Sequence, residues 1–235
     1  MNQNKTTKYM KYAFGEIVLV IVGILIALQI NNWNENRINS IKIKNYLTEI
    51  VKDLEADTTS LKHSIKYAKK RKVKTKEFLA LKDYNILSVD SLEKSLETFY
   101  TIIPFNKSTF NKIENSGITN YGKYDSIIDY LKYYYTIVIP DFEDTAAANN
   151  RAVDKEDNYW RYEQKVYEFT YDKDLISKQT TKERKRQLVK LLEQPTARNI
   201  LKIDYRRNKE LASTLKVWNE IIVKILDETK KTLND

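Results

Sequence analysis

The chain has 235 residues, and 41 Lys and Arg against 32 Asp and Glu give it a net charge of +9. Four glycines, one histidine and no cysteine exclude several chemistries together. No glycine cluster could form a phosphate-cradling P-loop or a G-x-G-x-x-G turn, no Cys/His set could hold zinc, and no G-x-S-x-G elbow surrounds any serine. Ser60 stands three residues before His63, so the Glu-x-x-His pattern of di-iron bundles is missing too. His63 reads as a surface residue of a lysine-rich helix, and no cofactor or metal is expected.

The first predicted element is Ile17 to Ile30, IVLVIVGILIALQI, the one long apolar run. Extended back to Tyr12, a helix over it spans roughly 28 Å, close to the ~30 Å of a bilayer core. Tyr9, Tyr12 and Trp33 fall at its ends, where aromatic belts sit. Three readings compete: an uncleaved anchor, a cleaved signal peptide and a buried core helix. No A-x-A-like site follows the run, which disfavours cleavage, and flanking Lys, Tyr and Trp at bilayer spacing suit a buried helix less well.

Lys5, Lys8 and Lys11 precede the run, and Arg37, Lys42 and Lys44 follow it at greater distance. Charges nearest the span favour an N-terminus inside. The expected layout is a cytoplasmic basic tail over residues 1–11, a single span over 12–30, a connector over 31–45 and a periplasmic body over 46–235, held in a bacterial inner membrane. Glu16 and Gln29 are the polar residues at the ends of the span. Their plainer use is to reach water at the interface. Gly23 and Ala27 form a small-xxx-small pair that lets two helix backbones approach, so self-association through the face carrying Glu16 is the sharper alternative; the lipid bilayer is the first partner.

The stretch KYMKYAFGEIVLVIVGILIALQINNWNENR resembles the N-terminal signature of a family of uncharacterised short bacterial membrane proteins, Tyr-Ala-x-Gly-Glu-Ile, an apolar run, then Ala-Leu-Gln-x-Asn-Asn-Trp-Asn-Glu. The matching positions are Tyr12, Ala13, Gly15, Glu16, Ile17, Ala27, Leu28, Gln29, Asn31, Asn32, Trp33, Asn34 and Glu35. A weaker likeness lies in STFNKIENSG, Ser108 to Gly117. The resemblance implies one membrane pass and a helical domain, and it supplies no activity.

Beyond the run, Leu47, Ile50, Val51, Leu54, Leu61, Ile65 and Ala68 recur at helical spacing. They predict a long helix to about Lys82, either continuous with the span or kinked at Asn31–Asn36. Asp90 or Ser91 should cap a second helix that holds Leu92, Leu96, Phe99 and Ile103 inward and ends at Pro104. Ser108 or Thr109 should cap a short helix that stops at Gly117. Asp125 should cap another that stops at Pro140, and Pro140 opens a further helix to about Lys165.

Tyr167, Phe169 and Tyr171 in Lys165–Asp172 fit a strand or a helix, with helix favoured. Thr180 or Thr181 should cap TKERKRQLVKLLEQ, and Pro195 should separate it from a last helix through Ile200, Ile203, Leu211, Leu215, Trp218, Ile222, Ile225 and Leu226. The fold expected is all-α: an N-terminal transmembrane helix followed by an elongated antiparallel helical bundle.

Lys62 to Lys76 holds eight Lys and Arg and no acid. Lys66, Lys69, Lys70, Arg71, Lys72, Lys74 and Lys76 are its candidate partner patch, for an acidic envelope glycan or an acidic protein. A solvated helix face is the plainer use of such a run. Nucleic acid fits poorly if the domain lies outside the cytoplasm. Tyr159, Trp160 and Tyr162 are a candidate aromatic surface, with packing between helices as the plainer use. No carboxylate spacing selects a hydrolase, and no enzymatic activity is expected. The function expected is a membrane-anchored periplasmic interaction or scaffold protein; a sensory ligand-binding bundle acting through a partner is the alternative.

Overall fold

The computed structural model describes residues 3–170 and 174–234, and all regular structure among them is helical. Among the described residues the α-helices are α1 (Gln3–Ala80), α2 (Val89–Leu96), α3 (Ser108–Glu114), α4 (Asp125–Tyr133), α5 (Ile139–Asn158), α6 (Thr181–Leu192) and α7 (Pro195–Asn234).

α1 is a single helix of 78 residues, about 117 Å long at 1.5 Å per residue. Its sequence contains no proline, so no amide donor is missing and no ring meets a carbonyl one turn back. Asn31–Asn36, a candidate kink by sequence, is helical throughout.

Along this one helix the surroundings change. Every side chain from Tyr12 to Ile38 is exposed, Leu19 at 73%. From Ile43 onward a buried seam begins: Ile43, Leu47, Ile50, Leu54, Leu61, Ile65, Ala68 and Phe78. Steps of mostly three and four residues keep these side chains on one face, as packing against a neighbouring helix requires.

The neighbour is α7, which buries Leu201, Ala212, Leu215, Trp218, Ile222 and Ile225. The Arg198 guanidinium donates to the Leu79 carbonyl at 3.3 Å, and Lys230 Nζ donates to Glu55 Oε1 at 2.7 Å. Partners on α1 descend as α7 advances, so the two helices oppose in direction.

The buried apolar side chains form two clusters. One gathers Ile43 to Ile65 of α1, α3, α4, the start of α5 and the second half of α7. The other gathers Phe78, α2, α6, Tyr159, Trp160, Tyr167 and the start of α7.

Several elements differ from the sequence expectation, each for a local reason. α2 ends at Leu96 rather than Ile103, and Ser88, not Asp90 or Ser91, caps it by accepting the Ser91 N–H. Residues 97–107 instead form an irregular strap along α5. The Asn150 side chain accepts the Thr101 N–H at 2.7 Å and donates to the Thr101 carbonyl at 2.9 Å, replacing helical bonds. Phe99, expected inward, is 45% exposed. Neither Ser108 nor Thr109 caps α3; the Asn106 side-chain Oδ1 accepts the Ser108 N–H. Gly117 at φ +73° takes the left-handed position just beyond α3, as expected.

Pro140 does not stop a helix. A wide π-turn, Tyr134–Val138, joins α4 to α5 without a break. It absorbs the missing proline amide where a regular α-turn would clash. Residues 164–170 are neither helix nor strand, which corrects the favoured helix there. The Gln164 amide organises them, donating to the Trp160 and Tyr167 carbonyls and accepting the Val166 and Tyr167 N–H groups. Tyr171 and Asp172 lie outside the described residues. Thr180 caps α6 in a reciprocal box with Glu183.

One ionisable group sits inside the first cluster. Asp57 is 1% exposed; its Oδ1 accepts the Asn106 N–H, and its Oδ2 has no protein partner, like the Tyr134 and Tyr135 hydroxyls. Burial pushes the Asp57 carboxyl up to about 7; the Asn106 N–H opposes that rise and the Asp53 charge adds to it. An unfolded Asp titrates near about 3.9, so the folded state holds this proton more tightly. Stability should therefore fall as pH rises from about 4 to about 7, by up to roughly 1.4 kcal/mol per unit from this group, and level off above. In urea unfolding of the full chain at pH 4.5, 6 and 7.5, Asp57→Asn should remove most of that slope; an unchanged slope would refute the assignment.

Candidate functional site

Between the two apolar clusters, the α1–α7 seam turns polar. Asp204 of α7 is the hub. Its Oδ2 accepts from Arg71 Nε at 2.9 Å and from Thr75 Oγ1 at 2.7 Å. Its Oδ1 accepts from Arg207 Nη2 at 2.8 Å and Asn208 Nδ2 at 2.9 Å. Arg207 also grips both carboxylate oxygens of Glu156, at 3.0 and 2.8 Å, and reaches Asn149 Oδ1 at 3.3 Å.

The four charged side chains are 4–11% exposed. Two arginines and two carboxylates balance, so the layer is neutral in sum, and the fork geometry of the Arg207–Glu156 pair is the strong kind. Burial still pushes the Glu156 carboxyl up, against the lowering effect of Arg207.

Above this layer, between α1, α2 and the strap, lies a cleft of about 430 Å³. α1 contributes Tyr67, Lys70, Arg71, Lys74, Thr75 and Phe78; α2 contributes Ser91, Lys94 and Ser95; the strap contributes Glu97 and Phe99. Arg71 belongs to both the cleft and the layer. Its Nε bonds Asp204 and its Nη2 donates to the Ser95 carbonyl at 3.2 Å, which ties α2 to α1. Among the described residues no ion pair engages Lys70, Lys74 or Lys94. Tyr67 and Phe99 meet edge to face at 5.4 Å between centroids, each nearly half exposed.

A second, more open groove of about 720 Å³ lies between α2, the second π-turn (Tyr159–Glu163) and α6. Arg184 Nη2 there donates to Glu93 Oε1 at 2.8 Å and to the Tyr167 hydroxyl at 3.0 Å. Burial and the Glu93 carboxylate both push the Tyr167 phenol up. The lining mixes signs: Asp90, Glu93, Glu97 and Asp157 against Lys94, Arg161 and Arg184.

The residues singled out by sequence distribute unevenly. Lys66, Lys69, Lys70, Lys74 and Lys76 are exposed on α1, and Lys72 is half-buried. At 3.6 residues per turn, Lys70 and Lys74 lie on one flank of the seam, Lys69, Lys72 and Lys76 on the other, and Lys66 on the back of the helix. Lys70 and Lys74 reach the cleft.

Arg71 is not part of an open patch, because Asp204 and Ser95 hold it inward. The signal was present in the sequence: Ala68, Arg71, Thr75 and Phe78 continue the three-four spacing of the seam, as Asp204 and Asn208 do on α7. Tyr159 and Trp160 are buried at 8% and 4%, leaving Tyr162 exposed alone; the candidate aromatic surface is mostly core. Glu16, Gly23, Ala27, Gln29 and Trp33 are all exposed, and a Cβ added at Gly23 would meet no atom within 4 Å. His63 is exposed, and no group of three potential metal ligands occurs among the described residues.

Fold and site together define an all-helical protein with one long apolar N-terminal helix that continues into a packed helical body. Residues 16–182 match the family of unknown function DUF6090, and the chain belongs to that family. The match takes in the cleft residues 67–99 and stops in the first turn of α6, before α7. No curated protein and no solved structure matches the chain.

Removing the Asp204 carboxylate would leave the buried Arg71 guanidinium without its ion-pair partner, while Arg207 keeps Glu156. Breaking one side of a buried ion pair costs about 3–5 kcal/mol, so Asp204→Ala should lower urea-unfolding stability by that order. Glu49→Ala, at an exposed pair with Lys112, should change it little. Equal effects of the two substitutions would remove the central role given to Asp204.

Proposed function

We propose that this chain is a single-pass inner-membrane protein that presents an elongated antiparallel helical bundle to the periplasm as an interaction or scaffold module. One observation carries the reading: the same helix that is bare and apolar from Ile17 to Ile30 becomes a packed seam from Ile43 onward. A bare apolar surface of that size is unfavourable in water and ordinary in lipid. Lys5, Lys8 and Lys11 before the run favour an N-terminus inside, which would bring Trp33 to the outer interface.

With no partner among the described residues, the face of Glu16, Gly23 and Ala27 is available to a second copy, and small residues at that spacing permit close backbone approach. The reading includes no enzymatic role. The cleft over the buried ion layer supports the second reading, a ligand-binding bundle that signals through a partner, because it brings unpaired cations and aromatic rings to one place.

The absence of native cysteine makes topology direct to measure. In spheroplasts, Lys123→Cys in the body should react with a membrane-impermeant maleimide, whereas Thr6→Cys should react only after lysis. The full chain should stay in the pellet on alkaline carbonate extraction, and Gly23→Cys should give a disulfide dimer in membranes. Release into the supernatant would overturn the anchor; reversed labelling would overturn the orientation; a strictly monomeric Gly23→Cys protein would overturn self-association.

A further inference from the structure

We propose that the cleft between α1, α2 and the strap binds a small organic anion carrying a planar ring, with the anionic group on Lys70, Lys74 and Lys94 and the ring against Phe99 and Tyr67. The inference deepens the ligand-binding reading and is independent of the membrane anchor.

Charge is the first support. Lys70, Lys74, Lys94 and Arg71 are four cations against one acid, Glu97, in a single lining. Arg71 is neutralised by Asp204, whereas no ion pair engages the three lysines among the described residues. Three ammonium groups around one cavity repel one another, and an anion between them relieves that repulsion.

The floor supplies the ring half of the ligand. Tyr67 and Phe99 are exposed at 44% and 45% and held edge to face, and Phe78 lies beneath at 6%. A site for a bare polyanion needs charge alone, and these rings would be idle in it. Rings flank the lysines along α1 (Tyr67, Lys70, Lys74, Phe78), so one ligand can meet both.

The cleft is also pre-organised. Arg71 bonds α1 to the Ser95 carbonyl of α2 and to Asp204 of α7, and the strap that carries Phe99 is pinned to α5 through Thr98–Asp157 and Thr101–Asn150. Its volume of about 430 Å³ falls within the range of small-molecule sites. Headgroups of the anchoring bilayer are not the source of the anion. Lys70 lies forty residues beyond Ile30, about 60 Å along α1, far outside the ~8 Å reach of screened surface charge.

The test is titration of the full chain in neutral-headgroup micelles with 2-naphthyl phosphate and, separately, inorganic pyrophosphate. Naphthyl phosphate should bind saturably and more tightly than pyrophosphate, and more weakly in high salt. Lys70→Gln with Lys74→Gln should weaken both by about tenfold, while the control Lys182→Gln on α6 leaves both unchanged. Phe99→Ala should weaken naphthyl phosphate by about fivefold and spare pyrophosphate. Circular dichroism should show each variant as helical as the parent.

No saturable binding of either probe, or binding indifferent to the two lysines, would overturn the site. Equal affinity for the two probes with no effect of Phe99→Ala would overturn the ring-bearing ligand. Membrane extraction and labelling read the anchor alone, so the two proposals fail separately.

Discussion

The packing of α7 against α1 governs everything beyond Ile43. α1 is unbroken, so its rotation at one point fixes the direction of every side chain along it. Once Leu47, Leu54 and Leu61 face α7 and the helices α3 and α4 (all three 0% exposed), Lys70 and Lys74 must stand on one flank and Lys69 and Lys76 on the other. The strap and α2 then close over one flank only, which is why a cleft forms at Lys70 and Lys74 and not elsewhere along the basic run.

Within that pairing the polar layer has a role that the apolar seam cannot supply. Leucine and isoleucine at three-four spacing are tolerant of slippage by a turn, because one branched aliphatic side chain fills much the same space as another. A shift of one turn, about 5.4 Å, would move Arg71 away from Asp204 and leave buried charge uncompensated, at a cost of several kcal/mol. The layer therefore penalises a one-turn slip of α1 against α7. It also holds Arg71 at the base of the cleft, so the same bonds that align α1 with α7 shape the floor of the proposed ligand site.

The irregular parts are equally determined, by side chains rather than by backbone periodicity. The Asn150 amide substitutes for helical bonds at Thr101, and the Gln164 amide does so for residues 166 and 167. The π-turn before Pro140 accommodates a residue that would interrupt a regular helix. In each case a short-range pattern predicted continuation or termination, and a side-chain amide or a change of helical pitch decided otherwise. Phe99 reaches the cleft because α2 stops at Leu96; had the helix run to Ile103, its ring would not line that wall.

The amino-acid sequence by itself settled the all-helical class, the long apolar N-terminal helix, the break at Pro195, a threonine cap at Thr180 or Thr181 and the likeness to an uncharacterised family. Each depends on local chemistry: hydrophobic period, scarce glycine and proline, and hydroxyls placed before helices. Tertiary structure alone decided that Arg71 points inward, that Tyr159 and Trp160 are core, that Asp57 is enclosed, and that Lys70, Lys74 and Lys94 share one cavity. Those outcomes depend on which residues meet across the seam, as Arg71 and Asp204 do from 133 positions apart. Side-chain burial and ion pairing are properties of that meeting, and no local stretch of chain contains both partners.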